Sequence, residues 1–172
     1  MTVNVRLSEH HYLIALGSNR RHVRHGGPGA VLKAAFAALN SGQLPIRLVA
    51  TSSIATSRPL GPSQRSYANA AAVIETTLVP LALLAQLKQV ERDFGRRHSG
   101  QRWAARVLDL DIILWSGGMW ASKGLGIPHP EFAKRSFVLQ PATQIAAKWR
   151  DPSTGRTIRQ LRARLDRRRP IA

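Results

Sequence analysis

Val107-Leu-Asp-Leu-Asp-Ile-Ile-Leu-Trp115 carries the strongest strand signal in the chain and its most unusual charge pattern. In a strand, alternate side chains share a face, so Leu108, Leu110, Ile112 and Leu114 are expected to form one apolar face. Asp109 and Asp111 then emerge together on the other. Two residues of rise separate their carboxylates by about 6.7 Å. At an effective dielectric of about 20, two charges at that distance repel by about 2.5 kcal/mol. A hard divalent cation would offset this, and oxygen-only ligands point to Mg²⁺. Nearby arginines on a solvent face would offset it as well, and the pair alone does not choose between the two.

Reading upstream, Glu91 to Arg106 (ERDFGRRHSGQRWAAR) offers five arginines, one histidine and one tryptophan, and Arg96 to Arg106 reads as a polar, basic loop. Arginine forks bind phosphate oxygens at two points, so this loop beside a carboxylate pair suits a polyphosphate. Before it, Pro80 opens a helix with Leu83, Leu84, Leu87, Val90 and Phe94 on one face and Gly95 as its stop. Asn69 to Glu75 and Ile46 to Ile54 read as strands, separated by the loop Ser57 to Ser66. Val31, Leu32, Ala35, Phe36 and Leu39 recur at helical spacing after Pro28. Tyr12 to Leu16 is an apolar strand running into a turn at Gly17-Ser18-Asn19.

Downstream, Ser116 to Gly126 is glycine-rich, a hairpin or surface excursion, and Glu131 to Leu139 suits a short helix. Arg156 to Arg169 holds seven arginines and reads as an amphipathic or frayed end. The order strand, helix, strand, strand, helix, strand predicts an α+β, ferredoxin-like sandwich: a mainly antiparallel sheet with helices packed on it and a βαββαβ core. At 172 residues and 18.9 kDa the chain is expected to be one domain over 1–172, with a basic C-terminal tail at 156–172.

The composition excludes several classes. There is no cysteine, hence no disulfide framework, thiolate metal site or cysteine nucleophile. No GxxxxGK[ST], GxSxG or HExxH motif occurs, and Gly26-Gly27-Pro28-Gly29 is not a dinucleotide fingerprint. No apolar run is long enough to span a membrane, and residues 1–11 hold no signal-peptide core, so the expected location is the cytoplasm. The net charge of +17 attracts anions in general, whether nucleotide phosphates, nucleic acid or acidic surfaces. Two weaker signals complete the inventory. Tyr67 and Asn69 share a strand face, as a flat heterocycle would require, and His129 sits between two prolines just before Arg135 and Phe137.

Taken in order, YLIALGSN (12–19), SSIATSRPLGP (52–62), YANAA (67–71), VERDFGRR (90–97), RWAARVLDLDIILW (102–115) and IPHPEFAKRSFVLQP (127–141) resemble the 6-hydroxymethyl-7,8-dihydropterin pyrophosphokinases of folate biosynthesis. These segments cover most of the chain, and as a set they are highly specific. The resemblance implies transfer of pyrophosphate from ATP to the hydroxymethyl group of the dihydropterin, with release of AMP. It implies that Asp109 and Asp111 hold two Mg²⁺ ions and that Arg96 and Arg106 grip the triphosphate, these four being the catalytic set. It implies a nucleotide side lined by Glu91, Arg96, Trp103, Arg106, Ile112, Leu125, His129 and Arg135. The pterin side would comprise Ser57, Leu60, Tyr67, Asn69 and Phe137.

The chain departs from the family pattern at several of these positions. Ser57-Arg58 stands for Thr-Pro, Ala104-Ala105 for Gly-Pro, His98 for a loop arginine and Gly126 for Thr. Alternatives are therefore a paralogue acting on a modified pterin, a catalytically weakened binding protein, or a basic RNA-binding module of the same fold. The expected partners are ATP and a dihydropterin, with no membrane, a monomeric state, and nonspecific nucleic-acid contact through the basic tail.

Overall fold

The computed structural model describes residues 8–57, 67–95 and 107–167. Pro28 and Pro80 each occupy the first turn of a helix, where a missing N–H costs nothing. They open α1 (Pro28–Leu39) and α2 (Pro80–Asp93). Gly95 ends α2 with φ +82, a left-handed value, and its N–H donates to the Arg92 carbonyl at 2.8 Å.

Strands β1 (His10–Ser18), β2 (Arg47–Thr51), β3 (Ala55–Ser57), β4 (Tyr67–Thr76) and β5 (Asp109–Trp115) form one antiparallel sheet. Its order is β2-β4-β1-β5, with β3 also paired to β4. With α1 after β1 and α2 after β4, this is the expected ferredoxin-like βαββαβ core. Of the stretch read as one strand from Ile46 to Ile54, only Arg47–Thr51 is strand, as β2, and β3 begins beyond it at Ala55. The glycine-rich stretch after β5 is a small hairpin, β6 (Trp120–Ser122) and β7 (Leu125–Ile127).

One sheet face carries Tyr12, Ile14, Leu16, Ala70, Ile74, Leu108, Leu110 and Ile112, and α1 and α2 bury it with Leu32, Leu39, Leu83 and Leu87. The other face is also covered. There α3 (Ser136–Ala146) and α4 (Ile158–Arg167) bring Val138, Leu139, Ala142, Ile158 and Leu161 onto Leu13, Ala71, Val73, Ile113 and Leu114. Helices on both faces explain why β4 is buried almost without interruption.

Two sequence expectations are corrected here. Leu114 does not share a face with Leu108, Leu110 and Ile112. The pairing with β1 shifts so that Ile14 opposes Ile112 and Leu13 opposes Leu114. The residue left between, Ile113, is a bulge that turns Leu114 to the second core. The arginine-rich end, expected as amphipathic or frayed, is an amphipathic helix up to Arg167. Ile158, Leu161 and Leu165 recur on one side of α4 and pack into the second core, while Arg159, Arg164 and Arg167 face solvent. The short helix read over 131–139 is a 3₁₀ turn (Phe132–Lys134) followed by α3, which runs on to Ala146.

Leu161 is 6% exposed, so Leu161→Ala is expected to destabilise the fold by about 2–3 kcal/mol through a lost apolar contact and a cavity. Ending the chain after Arg167 is expected to leave the urea midpoint unchanged, whereas ending it before Ile158 lowers it strongly. Equal midpoints for all three chains would mean that α4 is not part of the core.

Candidate active site

The site is built where β4, β1 and β5 lie side by side at one end of the sheet. The register aligns Asn69, Gly17 and Asp109 in one row and Ala71, Ala15 and Asp111 in the next. Alternation turns all six toward the second-core face. Further along that face lie Leu13, Val73 and Leu114, covered by α3. Toward the end of the sheet the central residues shrink to Ala15 and then to Gly17, leaving a hollow. Asn69 and Asp109 stand on opposite sides of it, two strand spacings or about 10 Å apart. Among the described residues, a Cβ at Gly17 would meet nothing closer than Asn69 Oδ1 at 3.8 Å, so none of them demands glycine here. As far as these residues go, the floor is open.

Gly17 lies within β1, not in the turn expected after Leu16. For that reason sequence reading missed it: carrying the strand on to Ser18 would have put Gly17 on the face of Ala15, which the expected strand already held. Tyr67 begins β4 on the same face as Asn69, half-buried, and pairs with Ser57 at the end of β3. Phe137, 38% exposed, opens α3, with the Arg135 guanidinium 5.9 Å from its ring centre.

The two aspartates behave as the sequence chemistry requires. Burial first, and then the charge of Asp109, push the Asp111 carboxyl above its ordinary range; Lys88 and His129 work in the opposite direction. His129 is held beside them by its own N–H, which donates to the Ile113 carbonyl at 3.0 Å. Its Nδ1 accepts from the Glu131 N–H at 3.2 Å. Lys88, which sequence reading also missed, reaches in from α2. A lysine one helical turn before Glu91 is the signal that would have found it.

The remaining sequence-predicted residues divide into two groups. Glu91 is 0% exposed, and its carboxylate accepts from the Leu110 N–H and from Lys88 Nζ, each at 2.7 Å. Ile112 and Leu125 are buried, with their side chains in the first core. Arg96, Trp103, Arg106 and Leu60 lie outside the described residues, as do Arg58, His98, Ala104 and Ala105.

Among the described residues no group of three or more His, Asp or Glu forms a ready-made metal cage. Two carboxylates on one face suit a cation that takes its other oxygens from phosphate and water, the habit of Mg²⁺.

The Asp111 shift carries a stability consequence. A carboxyl whose pKa is raised by folding weakens the fold only while ionised. That penalty is complete above its folded pKa and disappears as pH falls toward the ordinary value of 3.8. Without metal, Asp111→Asn is therefore expected to be more stable than the parent at pH 7, with the gap closing toward pH 3.8. Urea midpoints across that range measure it. A variant less stable at pH 7 would contradict the electrostatic account.

The chain is similar to known proteins in sequence and in fold. The family profile for 7,8-dihydro-6-hydroxymethylpterin-pyrophosphokinase (HPPK) matches residues 13–147. The chain is 36% identical over 157 residues to the 2-amino-4-hydroxy-6-hydroxymethyldihydropteridine pyrophosphokinase of Synechocystis sp., covering 91% of this chain and 77% of that protein. It is 43% identical over 136 residues to the Haemophilus influenzae protein of the same name, covering 78% of this chain and 80% of that one. Among solved structures, wild-type Plasmodium falciparum HPPK-DHPS superposes with a TM-score of 0.67 at 14% identity, over 91% of this chain. The chain spans 41% of that longer protein, and at this identity the likeness concerns the fold alone. With the profile and both relatives agreeing across most of its length, the chain belongs to the family of 7,8-dihydro-6-hydroxymethylpterin pyrophosphokinases.

Proposed function

We propose that the hollow over Gly17 is where this ATP-dependent pyrophosphokinase joins its two substrates. The reaction transfers pyrophosphate from ATP to the hydroxymethyl group of 6-hydroxymethyl-7,8-dihydropterin, releases AMP, and serves folate biosynthesis. The observation that carries the proposal is the row Asn69–Gly17–Asp109. It sets an amide suited to a flat heterocycle opposite a carboxylate suited to a metal–phosphate, with open floor between them.

In this reading Tyr67 and Phe137 are the walls on which the pterin stacks, and Asn69 hydrogen-bonds its edge, with Ser57 and Leu60 completing the pocket. Asp109 and Asp111 hold two Mg²⁺ ions, which when bound neutralise the phosphate charge and polarise the reacting oxygens. Asp111 resists ionisation in the bare protein, so it gains most from a nearby cation. Arg96 and Arg106 grip the triphosphate. Trp103, Ile112, Leu125, His129 and Arg135 form the nucleotide side, with Glu91 fully buried behind it. The pterin oxygen attacks the β-phosphorus as the bond to AMP breaks, and no covalent enzyme intermediate is needed. The chain's own contribution is alignment and fixed charge.

The proposal includes a cytoplasmic, monomeric enzyme. Among the described residues no helix is long and apolar enough to cross a membrane. It also includes nonspecific nucleic-acid contact, supported by Arg159, Arg164 and Arg167, which lie exposed along α4 with no ion pair among the described residues. The contact accompanies catalysis and does not replace it.

AMP release from ATP, Mg²⁺ and the dihydropterin tests the reading. Asp109→Asn is expected to keep its circular dichroism and lose at least about a hundredfold in kcat. Folded Asp109→Asn protein that turns over at the parent rate would remove the aspartates from the mechanism.

A further inference from the structure

β5 is the edge strand of the sheet, paired to β1 on one side only. The peptide groups of an antiparallel strand point alternately inward and outward, so an edge strand presents unpaired N–H and C=O groups along its free side. At Leu110, the residue between the two aspartates, both outward groups are taken up by α2. Its N–H donates to Glu91 Oε1 at 2.7 Å, and its carbonyl accepts from Lys88 Nζ at 3.4 Å. Lys88 Nζ also donates to the same Glu91 oxygen at 2.7 Å. Since Leu110 points its peptide groups outward, those of Asp109 and Asp111 point inward, to Gly17 and Ala15 on β1. The Asp-Leu-Asp triplet is thus held on both edges, by a strand and by a helix.

The surroundings make this arrangement costly to dispense with. Glu91 is fully buried, and so is Leu110, while Lys88 is 32% exposed at its side chain. A carboxylate without solvent requires a cation and a donor, and Lys88 and Leu110 supply them. The contact ties α2 to β5 across 19 residues, at the neck of the segment that joins them. The Lys88 charge also lowers the repulsion felt at Asp111.

We propose that Glu91, supported by Lys88, is a positioning residue that sets the spacing and direction of Asp109 and Asp111 through the backbone of Leu110. This gives Glu91 a role other than the nucleotide contact that resemblance implies, and it rests on the reading of the two aspartates as the metal clamp.

Three variants and two readouts test it. Amide hydrogen exchange at Leu110, followed by NMR without ligands, reads the brace alone. Calorimetric titration of Mg²⁺ into the protein saturated with a nonhydrolysable ATP analogue reads the clamp without requiring turnover. Glu91→Gln keeps an acceptor for the Leu110 N–H and is expected to stay within about threefold of the parent in both. Glu91→Leu is expected to speed Leu110 exchange by at least about tenfold and to weaken Mg²⁺ binding by at least about fivefold, with the affinity for the metal-free analogue unchanged. Lys88→Met, a change at a half-exposed position, is expected to move both readouts the same way by a smaller factor; it keeps the test open should Glu91→Leu fail to fold. Loss of analogue affinity in Glu91→Gln, or faster Leu110 exchange with unaltered Mg²⁺ binding, would overturn the positioning role. Absence of Mg²⁺ binding by the parent would instead overturn the clamp reading, while Leu110 exchange would still report the brace.

Discussion

The antiparallel register of β1 between β4 and β5 is the constraint on which the rest of the molecule depends. It sets Gly17 between Asn69 and Asp109, and Ala15 between Ala71 and Asp111. Because side chains alternate, a slip of one residue would send Asp109 and Asp111 into the first core and bring Leu108 and Leu110 out of it. Burying two unpaired carboxylates and exposing two leucines would cost far more than the fold's margin of stability. The apolar faces that drive folding are therefore the same feature that delivers the acidic pair to the hollow.

Charge works on two length scales. Over the whole molecule a net charge of +17 draws nucleotide phosphates in from a distance. Among the described residues at the site the balance is different, with Asp109, Asp111 and Glu91 gathered around Lys88 and His129. Phosphates arriving in a basic field and meeting two carboxylates need a cation between them. That juxtaposition suits a metal shared with the substrate.

Much of this was legible in the sequence wherever local pattern and tertiary structure agreed. The Leu108/Leu110/Ile112 alternation, the two proline-opened helices and the Gly95 stop required only short-range rules. The misses have physical causes. Ile113 bulges because β1 and β5 do not match in length over that stretch, and neither strand reveals this alone. The α4 stripe of Ile158, Leu161 and Leu165 supports the amphipathic reading of the end, but the choice against a frayed one needed the second core it packs on. Glu91 as a brace was invisible because its partner, Leu110, is an amide 19 residues away. The small residues Ala15 and Gly17 matter for the space they leave, and an absent side chain gives no motif.

The central claim is that the metal and its phosphates sit over the Gly17 row. Mn²⁺, bound with a nonhydrolysable ATP analogue, broadens the NMR signals of nearby amides, and mapping that broadening tests the claim most directly. The account predicts the greatest loss of signal at Asp109, Leu110 and Asp111, extending across the strand pair to Ala15 and Gly17, with α4 unaffected. Broadening centred on α4 or on the far end of the sheet, with the β1 amides untouched, would contradict it.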